Sequence, residues 1–503
     1  MITAPSASRV VACLTVCAAT LRFSSLDLQS FGEDEAVTAL LVRLPFGEML
    51  ATLPRTESTP PLYYVMAWLW AQLSGTGEVG LRSLSALVGT LAVPATYSAG
   101  SCLLSRRAGL GAAALVAVSP ALVTYSQEAR SYALLVTLAT LALALFAHVH
   151  SRYDGTLLVV WGLVSALALA THYFALFVVA PQAILLLWKH RTRQVAGAVA
   201  SLAVVCLVLL PLALTQREHG LSANLTAGDP LSSRVVIVVK QLLAGAQSPL
   251  DREAAVLMAV VVATAAAVIL SRAHGPMREG VSLATTIGVC AVALPTALAM
   301  GGLDYVLPRN ALIAIPPLAI AGSAAVAVSS SRASSLALGG ICVLLVWVHV
   351  ATLRDAASHR PDWRGLGRTL GSSDEPRLVV VAPNLDGWSA RPVLSVYVPD
   401  AAGIDGVLNR EAAAFEDLLP RETELPPRLV VVREIAVAAV RWSMPLTDDD
   451  LPDGFWLATR QDSQRYRIAI YRSNRPVAVD PVAVSSRLRT AAAVLLQSAT
   501  PSS

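Results

Sequence analysis

The chain has 503 residues, of which 55% are hydrophobic and 14% charged, with a net charge of +4. Soluble proteins carry about 25% charged residues, so this chain lacks the polar surface to cover itself in water. The positive charge is too small and too dispersed to argue for a nucleic-acid partner. What remains is an α-helical polytopic membrane protein. The apolar runs are confined to residues 1–351, while 352–503 read as a soluble sequence, so the expected division is 1–351 and 352–503.

A helix needs about 20 apolar residues to cross the hydrocarbon layer. Candidate spans lie near 8–26, 83–104, 108–126, 131–149, 156–172, 173–189, 195–214, 252–271, 281–300, 310–329 and 333–351, about eleven in all. The first follows a single Arg9 and is read as a retained helix, with a cleaved leader as the alternative. Residues 61–74 are short and rich in Trp and Tyr, which suits an interfacial helix, as does the loop at 27–60 that precedes it. Cys13, Cys17, Cys102, Cys206, Cys290 and Cys342 all sit in apolar runs and are read as small apolar residues rather than disulfide or metal ligands.

Loop charges set the expected orientation. With the N-terminus cytoplasmic, Arg106, Arg107, Arg152, Lys189, Arg191, Arg193, Arg272, Arg278 and Arg332 fall inside. Glu33, Asp34, Glu35, Glu57, Glu128, Asp229, Asp251 and Asp304 fall outside. The C-terminal region is then extracytoplasmic. Its runs at 377–382, 428–433, 454–459 and 466–472 read as strands, followed by a helix near 481–497 and a polar tail. A small α/β domain is expected there.

Five polar features share the outer face in this topology. Three consecutive carboxylates occupy 33–35, where they either raise one another's pKa or simply suit a helix start. Glu57-Ser-Thr-Pro-Pro-Leu-Tyr-Tyr64 enters the interfacial helix through two prolines that fix the chain. Ser119–Tyr132 carries Glu128 and Arg130 near membrane depth, where charges are costly and mark function. Leu307-Pro-Arg-Asn310 stands at the mouth of a later span, and Pro361-Asp-Trp-Arg364 opens the outer domain. Carboxylates facing Arg130 and Arg309 suit a general base beside a phosphate leaving group.

With those residues in view, the chain resembles the membrane glycosyltransferases of the fold-C (GT-C) superfamily. It is similar in particular to the bacterial family 39-like branch, relatives of protein mannosyltransferases and of the aminoarabinose transferase of lipid A. The resemblance spans most of residues 20–365. It rests on Asp34-Glu35-Ala36, Pro60-Pro61-Leu62-Tyr63-Tyr64, Arg82-Ser83 with Ser85, Ser119-Pro120, Tyr125–Tyr132, Thr171-His172-Tyr173, Arg309-Asn310 with Pro316, and Asp362-Trp363-Arg364.

The resemblance implies a polyprenyl-phosphate sugar donor, a hydroxyl acceptor on a glycan, lipid or protein, and inversion at the anomeric carbon. It implies Asp34 as general base with Glu35 beside it, and Arg130 and Arg309 as holders of the donor phosphate. Glu57, Tyr63, Tyr125, Glu128 and His172 would touch substrate. No metal ligand set is assigned; the carboxylates could hold a divalent cation, but arginines can neutralise phosphate without one. A multi-pass protein of the bacterial inner membrane is implied. One departure concerns Thr59, where many relatives carry a histidine in Asp-x-His-Pro-Pro. Threonine carries neither a proton nor a positive charge as histidine does, so either another group acts there or the substrate preference or activity differs.

The rival readings are an O-antigen-type polymerase or ligase, a secondary transporter, and a catalytically inactive relative. A transporter would show two similar halves with broken helices at the bilayer midplane, and the sequence shows no such repeat.

Overall fold

The computed structural model describes residues 6–219, 230–245, 249–329, 331–382, 391–398, 401–403, 429–439, 452–463, 466–481, 484 and 493–497. The chain forms two compact units. The first comprises Met1–Leu26, Ser58–Gly75 and Val79–Ser358; the second comprises Asp27–Glu57, Thr76–Glu78 and His359–Ser503. A single cut after residue 351 would have left 27–57 with the spans, but these residues cluster with the C-terminal region.

In chain order the helices begin with α1 (Ala7–Phe23), then α2 (Glu33–Leu41) and α3 (Phe46–Thr56), which fill the expected loop at 27–60. There follow α4 (Leu62–Ser74), α5 (Glu78–Leu103), α6 (Arg106–Val118), α7 (Pro120–Ser126), α8 (Tyr132–Ser151), α9 (Gly155–Thr171) and α10 (Leu176–His190). Next come α11 (Arg193–His219), α12 (Leu231–Ala244), α13 (Asp251–Arg272), α14 (Gly275–Met300), α15 (Ile315–Ser329) and α16 (Arg332–Arg354). Among the described residues, eight helical segments are long and apolar enough to cross a membrane, or nine if α6 and α7 count as one bent span. The 17-residue helices α1 and α9 occupy the other two expected positions. At 13 residues α4 is too short to cross, as its composition suggested.

Small side chains let the first unit pack closely. Its core draws on Ala18, Ala92, Ala99, Ala112, Ala113, Ala117, Ala139 and Ala142, with Phe146, Trp161 and Leu143 filling the larger spaces. In a membrane, where lipid is as apolar as leucine, close helix approach through such residues is what holds a bundle together.

The α6–α7 break bends by 54°. Pro120 has no N–H to give the carbonyl of Val116 four residues before it. Arg22, fully buried at the end of α1, supplies the missing donors: Nη2 donates to Val116 O at 3.3 Å and Nη1 to Ala117 O at 3.0 Å. The break is thus sealed by a side chain nearly a hundred residues away. On its other flank, Gly245 closes α12 at φ +86°, and a Cβ there would lie 2.7 Å from Pro120 Cβ. That approach and that backbone both require glycine.

The second unit holds α17 (Trp363–Leu370), α18 (Arg391–Tyr397) and a six-stranded mixed sheet. Its strands are β1 (Arg377–Ala382), β2 (Ala401–Gly403), β3 (Val430–Ala439), β4 (Trp456–Asp462), β5 (Arg467–Val479) and β6 (Ala493–Gln497), in the order β2-β6-β1-β3-β5-β4. β1 and β3 run parallel and the other pairs antiparallel. Leu378, Val380, Ile435, Val437 and Tyr471 form its core. Glu434 on β3 is paired with Arg377 on β1 and receives Arg472 Nε from β5 at 3.0 Å, so one carboxylate ties three strands at matching register. The helix expected near 481–497 is corrected here: Ala493–Gln497 is a strand paired with β1 and β2. A short apolar run such as Ala-Val-Leu-Leu reads equally as helix or strand, and here partner strands are available. The polar tail at 498–503 lies outside the described residues.

Candidate active site

In the second unit, the carboxylates 33–35 form the first turn of α2, where the helix dipole favours negative charge. Glu35 is 1% exposed. Its Oε2 accepts the Gly32 N–H at 3.1 Å and Arg360 Nη1 at 2.6 Å. This fixes the start of α2 against the chain entering the C-terminal region. The same stretch is stitched repeatedly. Ser30 Oγ donates to Pro361 O and accepts the Trp363 N–H, Arg360 N–H donates to Gln29 Oε1, and Arg364 Nη2 donates to Asp27 O. Asp362 caps α17 by accepting the Gly365 N–H at 2.9 Å. Asp362-Trp363-Arg364 is therefore architectural within this unit. Asp34 is half-buried on the same turn as Glu35, and Glu57 is buried at the end of α3.

In the first unit, the predicted basic residues converge. After α7 the chain leaves the helix at Gln127 and re-enters one at Tyr132, with Arg130 on the irregular stretch between. That stretch is held at both ends. Gln127 Nε2 donates to Leu21 O at 2.9 Å and to Ser25 Oγ at 2.8 Å, while Ser85 Oγ donates to Arg130 O at 3.4 Å. Tyr63, fully buried, shares a hydrogen bond with Ser85 at 3.3 Å. The Arg130 guanidinium lies 5.9 Å from the Tyr64 ring centre, and that of Arg309 lies 6.0 Å from Tyr132. Both distances are those of cation–π contacts. Tyr132 in turn meets Tyr125 edge to face at 5.4 Å and His172 at 6.0 Å.

His172 fills the gap between α9 and the turn at 173–175, outside both neighbouring helices. Its Nδ1 accepts the Phe174 N–H at 3.2 Å, a role open only to a ring nitrogen without a proton. Burial first, then the charges of Arg130 and Arg309, push its pKa down to about 3. The imidazole is thus neutral, and the positive charge of this cluster resides on the two arginines. Glu128 is buried on the same stretch as Arg130, and its carbonyl accepts the Arg130 N–H at 2.8 Å.

Thr59 is integrated into this cluster by neutral hydrogen bonds. Its hydroxyl shares a bond with Tyr64 OH at 3.2 Å, and its carbonyl accepts Gln216 Nε2 at 3.0 Å. Gln216 Oε1 accepts Tyr173 OH at 2.7 Å. Tyr173, Gln216, Thr59 and Tyr64 thus run as a string towards Arg130. Sequence reasoning missed Gln216, although a polar residue in the last turn of a long apolar helix was the available signal. It also missed Arg234 on α12, whose guanidinium grips Asp304 with both terminal nitrogens, Nη1 to Oδ1 at 2.8 Å. That contact first, and the Val306 N–H after it, hold the Asp304 carboxyl below the usual range.

Residues 58–215 match the sequence model of the family described as dolichyl-phosphate-mannose-protein mannosyltransferase. That region contains Thr59, Tyr63, Tyr64, Tyr125, Arg130, Tyr132 and His172, and leaves out Asp34 and Arg309. Over nearly the whole chain, the fold matches ArnT from Cupriavidus metallidurans bound to undecaprenyl phosphate, with a TM-score of 0.58 at 13% identity, covering 92% of this chain and 98% of that one. The apo form of the same protein matches with a TM-score of 0.58 at 14% identity, covering 93% and 98%. This chain has an ArnT-like GT-C fold. No curated protein matches the sequence significantly. Within the GT-C fold, the helical bundle carries the Arg130–Arg309 cluster, and the second unit carries the acidic turn of α2.

Proposed function

We propose that this protein transfers a sugar from a polyprenyl-phosphate donor to a hydroxyl acceptor at the outer face of a bacterial inner membrane. The observation that carries this reading is the convergence of Arg130, over Tyr64, and Arg309, over Tyr132, on His172 within a GT-C fold. Two guanidinium groups beside a neutral imidazole make a compact, cationic, partly buried place. That chemistry suits a phosphate that gains charge as its bond to sugar breaks.

In this reading the acceptor oxygen attacks the anomeric carbon from the face opposite the phosphate, giving inversion. Asp34 takes the hydroxyl proton, the anomeric C–O bond breaks, and the electron pair leaves on the polyprenyl phosphate, where Arg130 and Arg309 offset the charge. Asp34 is assigned the base role by its place in the family motif, with Glu35, which accepts Gly32 N–H and Arg360 Nη1, beside it on the same turn. Glu57, Tyr63, Tyr125 and Glu128 would line the substrate, with Tyr63 acting through Ser85 to support Arg130. Thr59 offers a hydroxyl in place of a titratable ring, so substrate contact there is by neutral hydrogen bonding.

The experiment is transfer from a panel of synthetic polyprenyl-phosphate sugars by purified protein in nanodiscs. Asp34→Asn should lower turnover by about 10²–10⁴-fold, the scale of general-base catalysis, while undecaprenyl phosphate still binds. Turnover within a few-fold of wild type would remove Asp34 from that role. Arg309→Ala should weaken undecaprenyl phosphate binding roughly tenfold or more, as loss of a charge-assisted contact does.

A further inference from the structure

Arg309 stands where an irregular stretch of chain gives way to a short 3-10 turn. From Gly301 to Leu307 there is no helix or strand, and Pro308–Ala314 is a 3-10 turn. An arginine on such a stretch would sample many positions, and each one lost on binding phosphate costs conformational entropy. The structure removes that freedom from one side. Arg234 of α12, buried along its stem, forks onto both oxygens of Asp304, and its Nη1 also reaches Val306 O at 3.4 Å. Asp304 Oδ1 takes the Val306 N–H at 3.2 Å. Beyond Arg309, Asn310 Nδ2 donates back to Tyr305 O at 3.0 Å.

Packing repeats the same pattern. Val306 and Ala311, on either side of Arg309, are buried in one small core with Val238 of α12, with Val235 and Leu242 packed around it. α12 thus lies as a splint along the chain from 304 to 311, with Arg234 as its polar pin.

We infer that Arg234 and Asp304 are positioning residues that fix Arg309 for the donor phosphate. The inference rests on the reading of Arg309 given above. A salt bridge of general structural value would contribute to stability alone. A positioning pair must instead be coupled to Arg309 in ligand binding. Asp304 and Arg309 share the splinted segment, so loss of the clamp and loss of Arg309 should not add.

The test measures undecaprenyl phosphate affinity and donor KM and kcat for the full-length protein in nanodiscs. The variants are Asp304→Asn, Arg234→Lys, Arg309→Ala, the Asp304→Asn/Arg309→Ala double and the exchange Arg234→Asp/Asp304→Arg. Asp304→Asn should weaken undecaprenyl phosphate binding on the order of tenfold, the scale of coupling between contacting residues, and raise donor KM more than it lowers kcat. Added to Arg309→Ala it should cost less than about twofold further, as coupled sites do. The exchange should recover most of the affinity. Should Asp304→Asn not fold, Arg234→Lys keeps the charge but loses the fork, and the same loss of affinity is expected. Full additivity, or wild-type affinity in both clamp variants while Arg309→Ala is impaired, overturns the clamp. Wild-type affinity in Arg309→Ala instead overturns the reading on which the clamp rests.

Discussion

His172 shows what a single residue reveals about the cluster it joins. Its ring is buried, faces Tyr132, and sits in the fields of Arg130 and Arg309, so the neutral form is held down to a pH of about 3. An unfolded histidine titrates near 6.5. Between those values the unfolded chain binds a proton that the folded chain refuses, so stability is complete above pH 6.5 and falls as the pH drops towards 3. A His172→Gln variant, which is neutral at every pH, should not show this loss. Melting temperatures of the two proteins, compared at pH 7.5 and pH 4.5, should diverge in favour of the variant at the lower value. Parallel pH dependence would mean that His172 is not held neutral. Glu35 teaches the complementary lesson. It was expected beside Asp34, and its partners are a backbone N–H and Arg360, 325 residues further along. No local pattern points from Glu35 to so remote a partner.

At the scale of elements, spans were legible because membrane helices announce themselves by length and hydropathy alone. Strand β1 coincides with the expected 377–382, and the alternation at 466–472 lies in β5. What was not legible is how helices end. The span at 108–126 is two helices, because Ser119-Pro120 removes a donor, and its repair comes from Arg22 on another helix. Arg234 was hidden for the same reason: its meaning depends on Asp304, 70 residues away, and nothing local marks either as a pair. The sealed break makes its own prediction. Arg22→Met keeps the side chain's length but leaves the Val116 and Ala117 carbonyls without their donors, each at a cost of about 1–3 kcal/mol. A lower melting temperature and faster proteolysis within 127–131 are expected. Wild-type values in both measurements would show that the carbonyls find other donors.

For the molecule as a whole, the charge pattern makes a prediction about sidedness. With Lys189, Arg191 and Arg193 inside and the 75–77 turn outside, a cysteine placed at Thr76 in a cysteine-free background should react with a membrane-impermeant thiol reagent in intact cells. One at Thr192 should react only after the cells are permeabilised. Reversed labelling would invert the orientation and move the α2 turn to the opposite side of the membrane. The division into units was the least legible feature at this scale. Residues 27–57 read as a loop between spans, yet their hydrogen bonds run to residues 360–364, and no local pattern encodes a partner so remote.

That remoteness sets a timetable for biosynthesis. Ser30 and Pro361 are 331 positions apart. At about 5–20 residues per second, the acidic segment emerges on the order of 15–70 seconds before the stretch that holds it exists. Through that interval Asp34 is present but Arg360 and Trp363 are not, and the start of α2 lacks the ion pair at Glu35. The nascent chain would therefore make most of its spans while the acidic turn is still unfinished, and the last span, ending at Arg354, only just before Arg360. A ribosome stalled before residue 359 would leave a membrane-embedded chain in which Glu35 has no Arg360 to pair with, so the last part of the message is also what completes the start of α2.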